Sequence, residues 1–176
     1  RFGTRNYWIV VPLVFCENRN IRVMRQAMLE ELGYAIGTSY RLYTRRLVKL
    51  AAAGMPAAEI VEASIDSPGQ SNEASKVFPN IDGIKFLTHH GGCGGGYDDA
   101  INLCGLLAGY INHPNVAGAT VLSLGCQKSQ IVDLENAIHK RNPEFNKPLL
   151  VFEQQQLGTE QTLLTEAIRH TMAGLV

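Results

Sequence analysis

The sequence has no continuous apolar stretch of about 18 residues, the length that a membrane-spanning helix needs. It also has no excess of one charge, since Lys plus Arg and Asp plus Glu each total 16 and no long run carries one sign. Binding to nucleic acid or to an anionic membrane relies on concentrated positive charge. We therefore expect neither nucleic acid nor a membrane as a partner.

Cysteine is scarce and widely spaced. The four cysteines form no Cys-x-x-Cys pair, and no secretory signal peptide is recognisable. This excludes a secreted disulfide scaffold, so we expect reduced thiols and a cytoplasmic protein. Charged residues make up only 18% of the chain, against a usual share of about 25%. The low share favours a homo-oligomer or a piece of a longer chain, and the missing initiator Met favours the piece.

Two nucleotide-binding motifs are absent. The glycine-rich stretch from His89 to Gly96 lacks the Lys-Ser or Lys-Thr ending of a P-loop. The dinucleotide pattern Gly-x-Gly-x-x-Gly, begun at Gly92, fails because Tyr97 occupies its last position. Five glycines in this stretch still allow the backbone to approach a small ligand closely.

Apolar runs alternate with segments of helical periodicity. The runs at residues 7–15, 83–87, 117–124 and 149–152 predict strands, and residues 21–32, 98–110, 131–139 and 160–172 predict helices. Strands that alternate with helices of this length form parallel units with right-handed crossovers. We therefore predict an α/β fold, namely a three-layer Rossmann-like domain with a mainly parallel sheet of at least four strands.

A proline in the first run, a helical stretch after the first helix and a polar loop add detail to this predicted fold. Pro12 lies inside the first run and predicts an edge strand or a bulge, because proline donates no ladder hydrogen bond. Residues 37–64 continue with helical periodicity and predict extra helices after the first unit. Residues 66–73 read as a loop by composition rather than a domain boundary. The length then suits one α/β domain over residues 1–176.

Ligands of open parallel sheets bind outside the carboxyl ends of the strands. We call the segments that follow the four predicted strands the carboxyl edge: residues 15–20, 88–96, 125–128 and 153–156. Three of the four cysteines, Cys16, Cys93 and Cys126, lie in these segments. This coincidence predicts a functional site there.

The residue types at the carboxyl edge suit a metal. Imidazole and thiolate bind borderline or soft transition metals, so His89, Cys93 and Cys126 are candidate ligands. The alternative is that Cys16 and Cys126 are small buried side chains that end strands, because free cysteine is among the most buried residue types. Cys104 lies within a predicted helix between apolar neighbours and is expected in the core. 

Arg5 precedes the first strand and would lie at the opposite edge of the sheet unless its loop folds back. Its guanidinium group could bind a carboxylate through two parallel hydrogen bonds.

Six segments of the chain resemble the altronate and galactarate dehydratase family. They are Gly3-Thr4-Arg5-Asn6-Tyr7, Phe15-Cys16-Glu17-Asn18-Arg19-Asn20, His89-His90-Gly91-Gly92-Cys93-Gly94-Gly95, His113-Pro114-Asn115-Val116-Ala117-Gly118, Leu124-Gly125-Cys126-Gln127 and Phe152-Glu153-Gln154-Gln155. The Cys-Glu-Asn-Arg-Asn and Leu-Gly-Cys-Gln segments are more similar to the altronate branch. The resemblance extends over the whole chain.

The resemblance implies a middle piece of a longer dehydratase, with the missing amino- and carboxyl-terminal regions as partners. It implies dehydration of the sugar acid D-altronate to 2-keto-3-deoxy-D-gluconate in bacterial hexuronate breakdown. The implied cofactor is a divalent metal, Fe²⁺ with Mn²⁺ as the alternative. Since the active site would be incomplete, we expect little or no activity from the isolated segment.

The chemistry of this reaction suggests roles for residues of the carboxyl edge. Removal of the proton beside a carboxylate needs a cation and a base, so the hypothesis makes His89 and Cys93 catalytic or metal-binding. Cys126 is the third metal ligand, and Glu17 is a further contact to substrate or metal. The predicted substrate contacts are Arg5, Asn18, Gly94, Gln127 and Glu153. 

A galactarate-type dehydratase stays open beside this hypothesis, and so do two further alternatives. One is an iron–sulfur dehydratase that uses Cys16, Cys93 and Cys126 as three thiolate ligands. The other is a non-catalytic scaffold or interface domain, in which the glycines serve close packing.

Overall fold

A computed structural model describes residues 3–34, 38–63 and 77–176. Its sheet has four parallel strands in the order β2-β1-β3-β4. The strands are β1 (Tyr7–Pro12), β2 (Gly83–Phe86), β3 (Val116–Ser123) and β4 (Leu149–Glu153). The predicted α/β fold with a parallel sheet of at least four strands is confirmed.

The described helices follow the strands in the predicted order. A short 3-10 turn at Phe15–Glu17 leads from β1 into α1, and α4 and α5 follow β2 and β3. The helices are α1 (Asn18–Glu31), α2 (Thr38–Ala52), α3 (Ala57–Glu62), α4 (Tyr97–Ile111), α5 (Ile131–Arg141), α6 (Gln154–Leu157) and α7 (Glu160–Leu175). The extra helices predicted after the first unit are α2 and α3.

Helices cover both faces of the sheet. Ile9 and Val11 of β1 point to one face and pack in a cluster with apolar side chains of α4 and α5. Trp8 points to the other face, where its indole Nε1 donates a hydrogen bond to Thr120 Oγ1 at 2.9 Å, and that oxygen is 2.7 Å from Thr171 Oγ1 on α7. The alternation of strand side chains therefore produces the predicted three layers.

The prediction that Pro12 marks an edge strand or a bulge is wrong. β1 lies between β2 and β3, and its register shift is at Tyr7 and Trp8. Val10 accepts a hydrogen bond from Leu87 N, so alternate residues of β1 face β2. Pro12 faces the same side, but β2 has already ended at Phe86. The missing N–H of Pro12 therefore costs no ladder hydrogen bond.

The chain forms two compact units. One comprises residues 1–28 and 78–176 and contains the sheet; the other comprises residues 29–77 and contains α2 and α3. Within the second unit, Gly54 has φ +82° and ends α2, and Pro56 precedes α3. The single domain predicted over residues 1–176 stays a prediction. The predicted loop at residues 66–73 lies outside the described residues.

Among the described residues, no helix is long and apolar enough to cross a membrane.

Candidate functional site at the carboxyl edge

The order of the strands creates a topological switch point at the carboxyl edge. The chain leaves β1 toward β2 on one side and returns to add β3 and β4 on the other. Connections at such a switch point diverge, and ligands of open sheets bind there. In this fold the switch point lies between β1 and β3.

Gly92 joins the segments that follow β1, β2 and β3. Its carbonyl accepts hydrogen bonds from Lys128 N at 2.9 Å and Ser129 N at 3.2 Å. Gly92 has φ +102°, and a Cβ there would lie 2.6 Å from the Leu13 carbonyl oxygen. Next to it, the Gly91 carbonyl accepts a hydrogen bond from Phe15 N at 2.9 Å. Only glycine fits where three backbones approach so closely.

Ser129 strengthens the same junction and was missed by the sequence analysis. Its buried hydroxyl donates to the Leu13 carbonyl at 2.6 Å and lies 3.2 Å from the Gly92 carbonyl. A serine in a polar turn carries no distinctive sequence signal. Its role follows only from the meeting of the three segments.

Both ring nitrogens of His89 are engaged within the protein. Nε2 lies 2.7 Å from the Pro12 carbonyl, and because a carbonyl only accepts, Nε2 carries the proton. Nδ1 accepts a hydrogen bond from Gly91 N at 3.2 Å. The ring is therefore a neutral Nε2–H tautomer that ties the end of β1 to the glycine-rich segment. In this arrangement neither nitrogen is available to a metal or to a substrate proton.

The side chains of Asn18 and Gln127 also form hydrogen bonds inside the protein, Asn18 between two segments and Gln127 within one. The Asn18 amide donates to the His89 carbonyl at 2.7 Å, and its oxygen lies 3.4 Å from His89 N. The Gln127 side chain is 3% exposed; it accepts from Gly125 N and donates to Ser123 Oγ, both at 2.6 Å. These two predicted substrate contacts hold the carboxyl edge in shape and do not present free polar groups.

The cysteines divide into two kinds, and all four are free thiols. Cys16, Cys93 and Cys126 are exposed, so Cys16 and Cys126 are not the buried strand ends that the alternative proposed. Cys104 is completely buried on α4, as predicted. Burial, together with Asp133, raises the pKa of the Cys104 thiol to about 11.

The Cys16 thiol lies within electrostatic range of the other two exposed thiols. The pKa of Cys16 is raised by burial first, and then by the thiolates of Cys93 and of Cys126. Like charges disfavour one another's ionisation, and this influence requires proximity. The carboxyl edge therefore brings together three side chains that are far apart in the sequence.

Glu17 is buried, which the sequence did not indicate. It is 1% exposed and accepts a hydrogen bond from Asn20 Nδ2 at 2.8 Å. Burial raises the pKa of this carboxyl, the Asn20 hydrogen bond opposes the rise, and Glu160 adds to it. Asn20 is also buried, and its Oδ1 has no hydrogen-bond partner among the described residues. Glu17 is thus positioned inside the protein rather than toward a ligand.

The remaining predicted contacts differ in their location. Gly94 is exposed at the carboxyl edge, and no atom lies within 4 Å of the place of its missing Cβ. Glu153 ends β4 and accepts a hydrogen bond from Gln156 Nε2 at 2.8 Å. Arg5 lies at the opposite edge, where it forms an exposed ion pair with Asp82 at 3.4 Å. Its loop does not fold back, so Arg5 is not brought to the other predicted residues.

Acidic side chains occupy the helix N-termini at this edge. Asp98 and Asp99 lie in the first turn of α4, and Asp99 Oδ2 accepts a hydrogen bond from Gly96 N at 2.8 Å. Asp133 lies in the first turn of α5. Such termini otherwise attract anions, so these carboxylates disfavour phosphate binding. This agrees with the absence of nucleotide motifs.

The predicted metal ligands do not form a site for one ion. Within residues 3–34, 38–63 and 77–176, no group of three or more His, Cys, Asp or Glu side chains is arranged to hold a metal ion. His89 has no free ring nitrogen, which leaves Cys93 and Cys126 of the predicted set. The arrangement therefore does not fit a mononuclear metal bound by His89, Cys93 and Cys126.

The fold defines a Rossmann-like α/β domain with a parallel sheet of four strands. The chain belongs to the D-galactarate dehydratase/altronate hydrolase family, whose second-domain model matches residues 1–175. The family resemblance of the sequence motifs is thereby confirmed.

One curated relative is altronate dehydratase from Escherichia coli K12. It is 32% identical over 63 residues, a region that covers 36% of this chain and 13% of that protein. The match therefore spans a small part of a much longer protein. No solved structure matches the chain significantly.

Proposed function

We propose that this chain is the substrate-binding domain of a hydro-lyase that dehydrates D-altronate to 2-keto-3-deoxy-D-gluconate. The observation that carries the proposal is the match of a dehydratase-family domain to residues 1–175. The altronate branch is preferred over galactarate because of the Cys-Glu-Asn-Arg-Asn and Leu-Gly-Cys-Gln segments and the partial match to altronate dehydratase.

The geometry suggests what the chain itself contributes. A sugar acid carries a carboxylate and hydroxyl groups that need hydrogen-bond donors and close approach. Gly94 offers an exposed backbone with open space around it, so we assign it a substrate contact. Asn18 and His89 act as positioning residues, because their side chains link the segment after β1 to the segment that presents Gly94. Gln127 shapes the segment after β3 in the same way, through Gly125 and Ser123.

The reaction removes the C2 proton of the acid and expels the C3 hydroxyl as water. Cys93 and Glu153 remain our candidates for contacts near these atoms, since Cys93 is exposed beside Gly94 and Glu153 ends β4 at the same edge. The Fe²⁺ or Mn²⁺ implied by the resemblance remains a prediction, and we derive no step from it because the described residues form no site for it. 

Three further proposals concern the whole protein. The remainder of the longer enzyme completes the active site, the enzyme is a homo-oligomer in the cytoplasm, and it takes part in bacterial hexuronate breakdown. The low share of charged residues supports two of these proposals, namely that the rest of the longer enzyme packs against this chain and that the enzyme is a homo-oligomer.

The proposal is tested with the full-length enzyme and D-altronate, by following the 2-keto-3-deoxy acid as its semicarbazone. Gly94→Val places a branched side chain in the open space and should raise KM at least tenfold while the melting temperature stays unchanged. Lys140→Ala, on the exposed last turn of α5, is the control and should leave KM unchanged. Absence of product from both D-altronate and galactarate would refute the proposed function.

A non-catalytic interface domain is the second candidate. It is favoured by the internal use of the Asn18, His89 and Gln127 side chains, which leaves few free polar groups. In that case Gly94→Val would leave KM unchanged and would alter the assembly of the enzyme, measured by light scattering.

A further inference from the structure

One side of α4 is apolar although it is exposed to solvent. The helix exposes four large apolar side chains, Tyr97, Ile101, Leu106 and Tyr110, each between 38% and 65% exposed. Among the residues that the structure describes, no other element exposes more than one. Residues 100–111 of the helix contain no charged residue. A helix that is apolar on every side is normally buried on every side, so we expect a partner on the side that does not pack on the sheet.

The helical period places the outward residues of α4 in two neighbouring rows. Successive members of each row are four residues apart, which is about 6 Å along the helix axis. One row presents gaps where it has glycines, and the other presents projecting side chains at the same spacing. We call these two rows the outer face of α4: Ile101, Gly105 and Gly109 in the first, and Asn102, Leu106 and Tyr110 in the second.

Packing within the chain requires neither glycine of this outer face. Nothing lies within 4 Å of the position of a Cβ at Gly105. At Gly109 the nearest atom is the Arg141 guanidinium carbon at 3.8 Å, which is an ordinary contact. Glycine in a helix interior costs about 0.5–1 kcal/mol relative to alanine. A second helix whose side chains pack into these gaps would offset that cost.

The beginning of α4 is acidic. Its first turn contains Asp98 and Asp99, and Asp133 of α5 lies nearby, because its Oδ1 is 3.4 Å from the Tyr97 hydroxyl. Lys128 is also at this end, where it donates a hydrogen bond to a carbonyl of the glycine-rich segment. Three carboxylates thus outnumber one ammonium group.

The end of α4 is basic. The Arg141 guanidinium group lies next to Gly109, and Lys147 Nζ donates hydrogen bonds to the carbonyls of His113 at 2.7 Å and Ile111 at 3.4 Å. The two ends of this 15-residue helix are about 20 Å apart. The charge along this surface is therefore acidic, then neutral, then basic.

We propose that the outer face of α4 is a dimer interface with a second copy of this chain, related by a two-fold axis perpendicular to the helix. Antiparallel packing of two α4 helices seats Leu106 and Tyr110 of each copy over Gly105 and Gly109 of the other. It also brings the acidic end of each copy to the basic end of the other. One surface thus supplies both halves of an isologous contact.

This interface specifies the homo-oligomer proposed above and rests on that proposal, but it does not depend on the dehydratase reaction. A contact formed mainly by one helix from each copy lies at the low end of interface sizes, below about 1,200 Å² in total. We therefore expect a dimer with a Kd in the micromolar range. Opposite charges at both ends favour the antiparallel over the parallel arrangement.

Analytical ultracentrifugation of the 176-residue chain, from micromolar to submillimolar concentration, measures the association. Leu106→Lys places a charge at the centre of the interface and should raise Kd at least about tenfold. Gly105→Gln should do the same, because its side chain fills a gap of the interface although glutamine is the better helix former. Val61→Lys, at an exposed valine on α3, is the matched control and should leave Kd unchanged. Circular dichroism verifies that each variant is folded.

Charge reversals test the antiparallel arrangement. Asp98→Lys and Arg141→Glu each place like charges opposite one another in a homodimer, so each variant alone should associate more weakly than the unaltered chain. An equimolar mixture of the two variants restores opposite charges at both ends and should associate more tightly than either variant alone. High salt should reduce these differences, because it screens exposed charges.

A chain that stays monomeric over the whole concentration range would overturn the proposal. A dimer whose Kd is unchanged by Leu106→Lys and Gly105→Gln would also overturn it, while the homo-oligomer would stand on another surface. A mixture of the charge-reversed variants that associates no better than each alone would contradict the two-fold antiparallel contact. None of these measurements uses a sugar acid, so failure of the interface and failure of the dehydratase function are separate results.

Discussion

At the scale of single residues, a methyl group added at Gly92 would meet both backbone strain and a backbone clash. Gly92 combines φ +102° with a Cβ position 2.6 Å from the Leu13 carbonyl oxygen. Gly92→Ala should therefore lower the free energy of unfolding by about 2 kcal/mol or more, because both backbone strain and a backbone clash act there. Urea denaturation followed by circular dichroism measures the change.

Gly94→Ala is the matched comparison two residues away. Its backbone is not in the left-handed region, and no atom lies within 4 Å of the new Cβ. Its free energy of unfolding should stay within about 0.5 kcal/mol of the unaltered chain. Equal destabilisation by both substitutions would show that Gly92 is not the junction of the three segments.

The four thiols should react differently with iodoacetamide. Cys16, Cys93 and Cys126 are exposed and should be alkylated in the native protein at pH 8. Cys104 is completely buried with a pKa raised to about 11, so it lacks both access and thiolate and should react only after unfolding. Mass spectrometry of peptides identifies each site. Native labelling of Cys104 would contradict the packing of α4.

Glu17 should make stability depend on pH. Its raised pKa means that the folded state holds the proton more tightly than the unfolded state does, whose carboxyl has the ordinary value of 4.5. The contribution of Glu17 to the free energy of unfolding is therefore fully present below pH 4.5. It is lost as the pH rises through the folded-state pKa.

Glu17→Gln removes this dependence and keeps an amide oxygen to accept from Asn20. The variant should gain stability relative to the unaltered chain as the pH rises from 4 to 7, measured by melting temperatures across that range. A constant difference between the two proteins over this range would contradict burial of an ionisable Glu17.

At the scale of elements, Trp8 fixes the distance between the sheet and α7. Its ring lies against Gly118 of β3 and Gly174 of α7, where a Cβ would clash with it. Gly174→Ala should therefore destabilise the protein by about 1–3 kcal/mol through overpacking, although alanine is the better helix former. Since Trp8 is the single tryptophan, its fluorescence reports this displacement directly.

Gly105→Ala on α4 should have the opposite effect on stability to Gly174→Ala. Nothing lies within 4 Å of the added Cβ, so helix propensity alone acts and should stabilise the protein by about 1 kcal/mol. Thermal unfolding compares the two variants. A stabilising Gly174→Ala would contradict close packing of the indole against α7.

At the scale of the whole molecule, periodicity was enough to predict the layers and the parallel sheet. The apolar run of β1 and the 3.6-residue spacing in α4, α5 and α7 depend on local sequence alone. The convergence of Cys16, Cys93 and Cys126 was also predictable, because parallel strands end at one edge.

The hydrogen-bond partners and the burial of individual side chains could not be predicted from such patterns. Whether His89 binds a ligand or the Pro12 carbonyl depends on where β2 ends relative to β1. The raised pKa of Glu17 depends on its burial and also on Glu160, which is distant in sequence. These are long-range contacts that no local pattern encodes. The same dependence made Pro12 compatible with a central strand.

The order of synthesis has a consequence for β1. This apolar strand is synthesised before the other three strands of the sheet, and its two neighbours are β2, which begins at Gly83, and β3, which begins at Val116. Both backbone edges of β1 lack their native partners until β2 has been made, and one edge still lacks its partner until β3 has been made. Long-range parallel pairing of this kind is slow and exposes strands to aggregation. The apolar β1 must therefore stay unpaired in the nascent chain until residues distant in sequence have been made.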